Sequence, residues 1–182
     1  MIHHALQVVS KDLNQFLRNR LGVNEEVVLL SELVNQDGSV AMASENKVVC
    51  TLLNIEQERT NLNAPINTKV LANAPVNLNL YVLFSSYYSA SNYLEALKAL
   101  SLTVLFFQGK QVFTQANTPG LGPIVEKLTV EMVNVEMHEL TNFWTAIGAK
   151  HLPCVLYKFR MLSIAAEAIL EEISDIRSLE SR

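Results

Sequence analysis

Apolar positions at the start of the chain recur with the period of a helix. Ile2, Leu6, Val9, Leu13 and Phe16 follow at steps of four and three and share a face, while Lys11, Arg18 and Arg20 fall elsewhere. Gly22 follows and can end the segment in a left-handed conformation, so a helix is expected over 2–21. The period then changes. Glu26 to Ser31 reads as a strand, Asp37-Gly38 as a turn, and the β-branched run Lys47 to Ile55 as a central strand apolar on both faces. Residues 56–75 are Asn-rich, carry two prolines and hold no period, which predicts a long loop of the kind that is functional or disordered.

Asn77 to Phe84 alternates, with Leu78, Leu80, Val82 and Phe84 on one side and Asn77, Asn79, Tyr81 and Leu83 on the other. A turn is expected over Ser85–Ala90. Asn92 with Glu95 has the spacing of a capping box, opening a helix with Tyr93, Leu97, Leu100 and Val104 as its inner stripe. A second long loop is expected over 108–123. Lys127–Val135 alternates as a strand with Leu128, Val130 and Met132 inward and Lys127, Thr129 and Glu131 outward. A helix follows from Glu136, with Met137, Leu140, Trp144 and Ile147 on one face and Gly148 as its stop. Cys154–Met161 reads as a strand with Val155, Tyr157, Phe159 and Met161 on one face and Lys158 and Arg160 on the other. A final helix is expected over Ile164–Ile176. The order α-β-β-β-α-β-α-β-α predicts an α+β or mixed α/β fold, with helices flanking a mixed, mostly antiparallel sheet. One domain is expected over 1–162, with a helix and tail over 163–182.

Composition narrows the function classes. The chain has 182 residues, a length suited to one domain. Fourteen Lys and Arg against 18 Asp and Glu give a net charge of -4, the wrong sign for a nucleic-acid binder or a polybasic membrane-surface protein. No signal-peptide pattern and no apolar stretch of membrane-spanning length are seen, so assembly in the cytoplasm is the expectation. Apolar residues make up 49% and charged residues 18%, a surplus that points to apolar surface shared with partners.

The search for chemistry yields little. Gly120 and Gly122 lie in a loop without the remaining glycine of a dinucleotide fingerprint or the Lys-Ser/Thr of a P-loop. His3, His4, His138 and His151 have no metal-ligand spacing, and no metal or cofactor is expected. Cys50 and Cys154 read as structural thiols. Glu56 and Glu58 could form an acid–base pair, but with Arg59 they read better as a surface ion-pair cluster or a partner contact.

Several blocks in order carry a resemblance. They are L-N-I-E-x-E-R (Leu53 to Arg59), P-V-N-L-N-L-Y-V-L-F-S (Pro75 to Ser85), Y-L-E-A-L-K (Tyr93 to Lys98) and F-F-Q-G-K-x-V-F (Phe106 to Phe113). K-L-T-V-E (Lys127 to Glu131), L-x-N-F-W (Leu140 to Trp144) and L-P-C-V-L-Y-K-x-R-M (Leu152 to Met161) continue them. The chain resembles the N-terminal domain of the tail-terminator, or cap, proteins of extracellular contractile injection systems, the phage-tail-like particles of the antifeeding-prophage and Photorhabdus virulence cassette kind. The resemblance implies a mixed α/β fold like that of phage tail-completion proteins. It also implies a non-enzymatic role: a ring, expected to be a hexamer, that ends the inner tube and anchors the last sheath layer. Self, inner tube and sheath are the implied partners, without nucleic acid or a membrane span. The implied location is the bacterial cytoplasm during assembly, then the particle, released or membrane-anchored. A baseplate or tube-initiator adaptor is the alternative. Glu56, Glu58, Arg59, Gln108, Lys110 and Phe113 are the candidate contact residues, chosen from the two long loops and their margins because arginine and aromatic side chains are enriched at interfaces.

Overall fold

The computed structural model describes residues 1–42, 44–58, 77–122 and 125–163. The elements run α1 (Ile2–Leu21), β1 (Val28–Leu30), β2 (Lys47–Gln57), β3 (Leu78–Tyr87), a 3-10 turn (Ala90–Asn92) and α2 (Tyr93–Gly109), then β4 (Val112–Thr114), β5 (Val125–Val133), α3 (Met137–Ile147) and β6 (Cys154–Ser163). The strands form one six-stranded sheet in the order β1-β2-β3-β6-β5-β4, with β1 parallel to β2 and all other neighbours antiparallel. This is an α+β fold, as expected. The helix expected over Ile164–Ile176 and the tail beyond it lie outside the described residues.

Two cores sit on opposite faces of the sheet. α1 packs on β1 and α2, and α2 packs on β3 and β6. Between these helices and the sheet lies the larger core, which includes Leu6, Val9, Leu13 and Leu17 of α1 and Val48, Cys50, Leu80, Val82, Phe84, Tyr157, Phe159 and Met161 of the central strands. Its centre is aromatic. The Phe107 ring lies 4.5 Å from Tyr157, 5.1 Å from Phe84 and 5.8 Å from Phe159, close enough for tilted and edge contacts. The smaller core lies under α3, where Trp144 meets Leu33, Val49, Leu83 and Leu156.

Local signals explain most elements. Gly22 ends α1 at φ 70°, where a Cβ would be strained, and its N–H reaches the Arg18 carbonyl. α3 opens on a capping box in which Glu136 and Glu139 satisfy each other's backbone N–H groups, and Gly148 closes it. β1 is shorter than expected. The Asn14 carboxamide oxygen accepts from Val27 and Val28 N–H (2.8 and 3.1 Å), fastening the approach to β1 beneath α1.

The structure corrects several expectations. Ser85, Ser86 and Tyr87 continue β3 instead of turning, because the strand is central and β2 pairs with all three. The Asn92–Glu95 capping box does not form; a 3-10 turn precedes the helix and the Asn92 amide donates to the Asn46 carboxamide at 3.2 Å. The buried side of α2 is Ala96, Ala99, Thr103, Phe106 and Phe107, not the stripe through Tyr93, Leu97, Leu100 and Val104. A helix with leucines on its outer as well as its inner side gives only a weak period from which to choose. The expected loop 108–123 contains β4. Met132 and Met137 are exposed, not inward.

Truncating the hub of the aromatic layer, Phe107→Ala, is expected to cost about 3–5 kcal/mol, read from urea denaturation. Leu94→Gln, on the outer side of α2, is expected to stay within about 0.5 kcal/mol of the parent.

Candidate interaction surface

The sheet face that carries α3 is divided in two. At the α3 end, Leu83 and Leu156 stand side by side in the register and are buried against Trp144. Two rows of polar side chains cross the other end of the same face. One row runs Asn54, Tyr81, Lys158, Glu131; the next runs Glu56, Asn79, Arg160, Thr129. Alternation along β3, β5 and β6 places these residues together, since each lies an even number of positions from Leu83, Leu156 or Val133.

β2 reaches this face by a different device. Val49 and Leu53 belong to the core under α3, so uninterrupted alternation would turn Ile55 to that side and Glu56 away from it. A bulge between Leu52 and Asn54 shifts the register. Asn54 and Glu56 thereby join the polar rows, and Ile55 points the other way. Glu58 extends the ladder, donating its N–H to the Asn77 carbonyl at 2.8 Å.

The charged members of the rows are paired, while Asn79 Oδ1 is buried without a hydrogen-bond partner among the described residues. The Tyr81 hydroxyl donates to Glu56 Oε2 at 3.0 Å, and Lys158 pairs with Glu131. Arg160 Nε lies 3.2 Å from Glu58 Oε2, whose side chain is largely covered. Desolvation, with the Glu56 carboxylate second, holds the Tyr81 phenol above its ordinary range. The hydrogen bond to Glu131 raises Lys158. Glu56 and Glu58 are therefore members of a cross-strand charge lattice, each with its own partner.

The other candidates lie elsewhere. Lys110, just past α2, pairs with Asp12 Oδ2 of α1 at 2.7 Å and sits 4.6 Å above the Phe113 ring. Phe113 itself is fully buried, because β4 carries it into the larger core; its side chain packs behind the surface, and this corrects its choice as a contact residue. Gln108 is exposed and lines an open groove of about 320 Å³ with Val104, Gln111, Glu131 and Met132. Arg59 lies outside the described residues. The six candidates thus do not converge on one site.

The residues that sequence reasoning passed over are the outward side chains of α2. Tyr93, Leu94, Leu97 and Leu105 are exposed, Leu94 by 79%. Their signal lies in the excess of leucines, which fall on the outer as well as the inner side of the helix around Glu95 and Lys98.

The reactive groups are muted. Burial pushes the Cys50 thiol up to about 12 and also raises Cys154, the reverse of what a nucleophile requires. Among the described residues no group of three or more His, Cys, Asp or Glu side chains could hold a metal ion, and no helix is long and apolar enough to cross a membrane.

Residues 6–178 match the model of the Pvc16 N-terminal domain family. The fold is similar to the sheath/tube terminator of the PVC extracellular contractile injection system in its extended state, with TM-score 0.56, 17% identity, and coverage of 86% of this chain and 56% of that one. It is also similar to the tube-terminating cap of the anti-feeding prophage, with TM-score 0.51, 15% identity, and coverage of 86% and 54%. The chain thus spans a little over half the length of these two structures. No curated protein matches it in sequence.

The electrostatics predict alkaline sensitivity. Cys50 and Tyr157 are raised by burial from 9.0 and 10.0 to about 12, so each favours the fold fully below its ordinary value and loses that contribution as pH climbs towards 12. Lys158, raised above 10.5, adds a loss of the same sign at higher pH. The unfolding free energy from urea denaturation is expected to fall from pH 9 upward, by up to about 1.4 kcal/mol per pH unit for each titrating group. Tyr157→Phe is expected to flatten the limb between pH 10 and 12.

Proposed function

The chain belongs to the Pvc16 N-terminal domain family, and from that premise we propose that it is the tube/sheath terminator cap of a contractile injection system. In this reading a hexameric ring of the chain seats on the distal end of the inner tube, stops its growth and holds the last sheath layer. It acts through shape and surface, without turnover. Assembly takes place in the bacterial cytoplasm, and the ring then travels as part of the particle.

The family match over residues 6–178 carries the reading. Two physical features support it. The outer side of α2 exposes Leu94, Leu97 and Leu105 around the Glu95–Lys98 ion pair, apolar surface of the kind that another molecule covers. The net charge of -4 and the satisfied charge lattice suit protein contacts and do not suit phosphate.

Deleting the gene in a particle-producing strain is the test. Tubes of uncontrolled length with unanchored sheath are the expected result, restored by the gene in trans. Loss of all tubes would instead make the chain an initiator or baseplate adaptor, and normal particles would overturn the reading. Leu94→Glu with Leu97→Glu is expected to move the melting temperature by no more than about 4 °C and to reduce incorporation into particles at least about tenfold, a loss of about 1.4 kcal/mol or more.

A further inference from the structure

The two ends of the sheet are built alike. At one end, β1 pairs with β2 through Leu29, flanked by the bonds Val48 N–H to Val27 carbonyl and Ser31 N–H to Cys50 carbonyl. Parallel geometry then turns the backbone groups of Val28 and Leu30 outward. Asn14 takes the Val28 N–H, while among the described residues Leu30 has no outer partner. At the other end, β4 covers β5 only from Lys127 to Thr129, with Val130 N–H donating to the Gln111 carbonyl. The next residue facing that edge is Met132, and it too has no outer partner among the described residues.

Each open edge runs beside a helix. The β1 edge and α1 enclose a groove of about 410 Å³ whose helix wall includes Lys11, Asn14 and Arg18. Neither Lys11 nor Arg18 has a carboxylate partner among the described residues, and Glu26 is the carboxylate on the strand side. The β5 edge and α2 enclose the groove of about 320 Å³ that holds Glu131, Gln108 and Gln111. One end therefore offers cations and the other two carboxamides, since the Glu131 side chain turns to the α3 face, where Lys158 holds it. Each end also exposes an apolar side chain, Leu30 by 40% and Met132 by 49%.

The side chains agree in phase. Leu30 lies two residues from Val28, and Met132 two from Val130; Val28 and Val130 both belong to the core beneath α1 and α2. Joined edge to edge, the two strands would keep that core face continuous, as a sheet requires.

We infer that the occupant of each edge is a second copy of this chain: the β1 edge of one copy pairs with the open β5 edge of the next, carrying the sheet across the subunit boundary. The two patches differ and lie at opposite ends of one sheet, so the contact is head-to-tail, the kind from which a ring is built when the rotation between copies closes. Lys11 and Arg18 of one copy face the carboxamides of Gln108 and Gln111 of its neighbour, and Leu30 packs on Met132. This inference rests on the ring reading above.

Cross-strand neighbours have Cβ atoms about 4.5–5.5 Å apart, within reach of a disulfide after a small adjustment. The test is the full chain carrying Leu30→Cys and Met132→Cys, oxidised at concentrations where native mass spectrometry finds the ring. A ladder of covalent oligomers up to the ring is expected, with each single variant and the parent giving no ladder. Hydrogen exchange on the parent provides a second measurement: the Leu30 and Met132 amides are expected to slow at least about tenfold on ring formation, while the Leu94 amide keeps its rate. Intact rings with no ladder and unchanged exchange at both amides would overturn the edge pairing and leave the cap reading standing. A chain that stays monomeric and fails to cap tubes would overturn both.

Discussion

The structure depends on how β3 and β6 are covered. These two central strands are buried on one face along their whole shared length, where α1, α2 and the aromatic layer around Phe107 press on them. On the opposite face they are buried over half their length, under Trp144. That asymmetry divides the chain's labour. The full face supplies stability through apolar burial. The half-covered face is free to present Tyr81, Lys158 and Arg160 without exposing a core. The charges there are cross-strand neighbours, each worth a few tenths of a kcal/mol to about 1 kcal/mol, so the lattice shapes the surface more than it stabilises the fold.

Much of this was legible before any coordinates. The helical period of α1, the alternation of β3 and β6, and the Glu136/Gly148 punctuation of α3 each follow from local chemistry, and local chemistry is what a sequence displays. Three features were not. β4 is three residues long, too short for a period to develop, and its membership in the sheet is decided by Phe113 finding the core. The inner side of α2 is set by which face approaches the sheet closely, with alanines admitting the backbone and phenylalanines filling the far end; leucines on the outer side conceal that choice. The polar face itself was half visible. Outward positions for Lys158, Arg160, Tyr81 and Glu131 were read from alternation, but the arrival of Glu56 beside them depends on a register shift that no residue type announces. Phe113 shows the converse. Aromaticity marks both interfaces and cores, and only topology separates them.

A cap has unusual physical requirements, and this fold fits them. It must bind firmly on some sides and offer no template for growth on another. Shape supplies both when a rigid sheet is flanked by unequal layers. The two thiols are raised by burial, and Glu56 and Glu58 each already have a partner. The similarity to two terminator structures is one of fold, over a little over half of their length. Which activities the remainder of such proteins adds is a separate question from what this unit does by geometry.

The kink in β2 has a consequence for how such a surface changes over evolutionary time. Substitutions from Asn54 to Glu58 alter one side chain each and leave the rest in place. Losing a single codon at the kink would restore strict alternation with Asn54, Glu56 and Glu58 still on this face, because the deletion removes the extra residue and the phase change together. Lineages can therefore diversify this face residue by residue, and only a codon gained or lost beyond a retained kink would turn Ile55 to it and both carboxylates away.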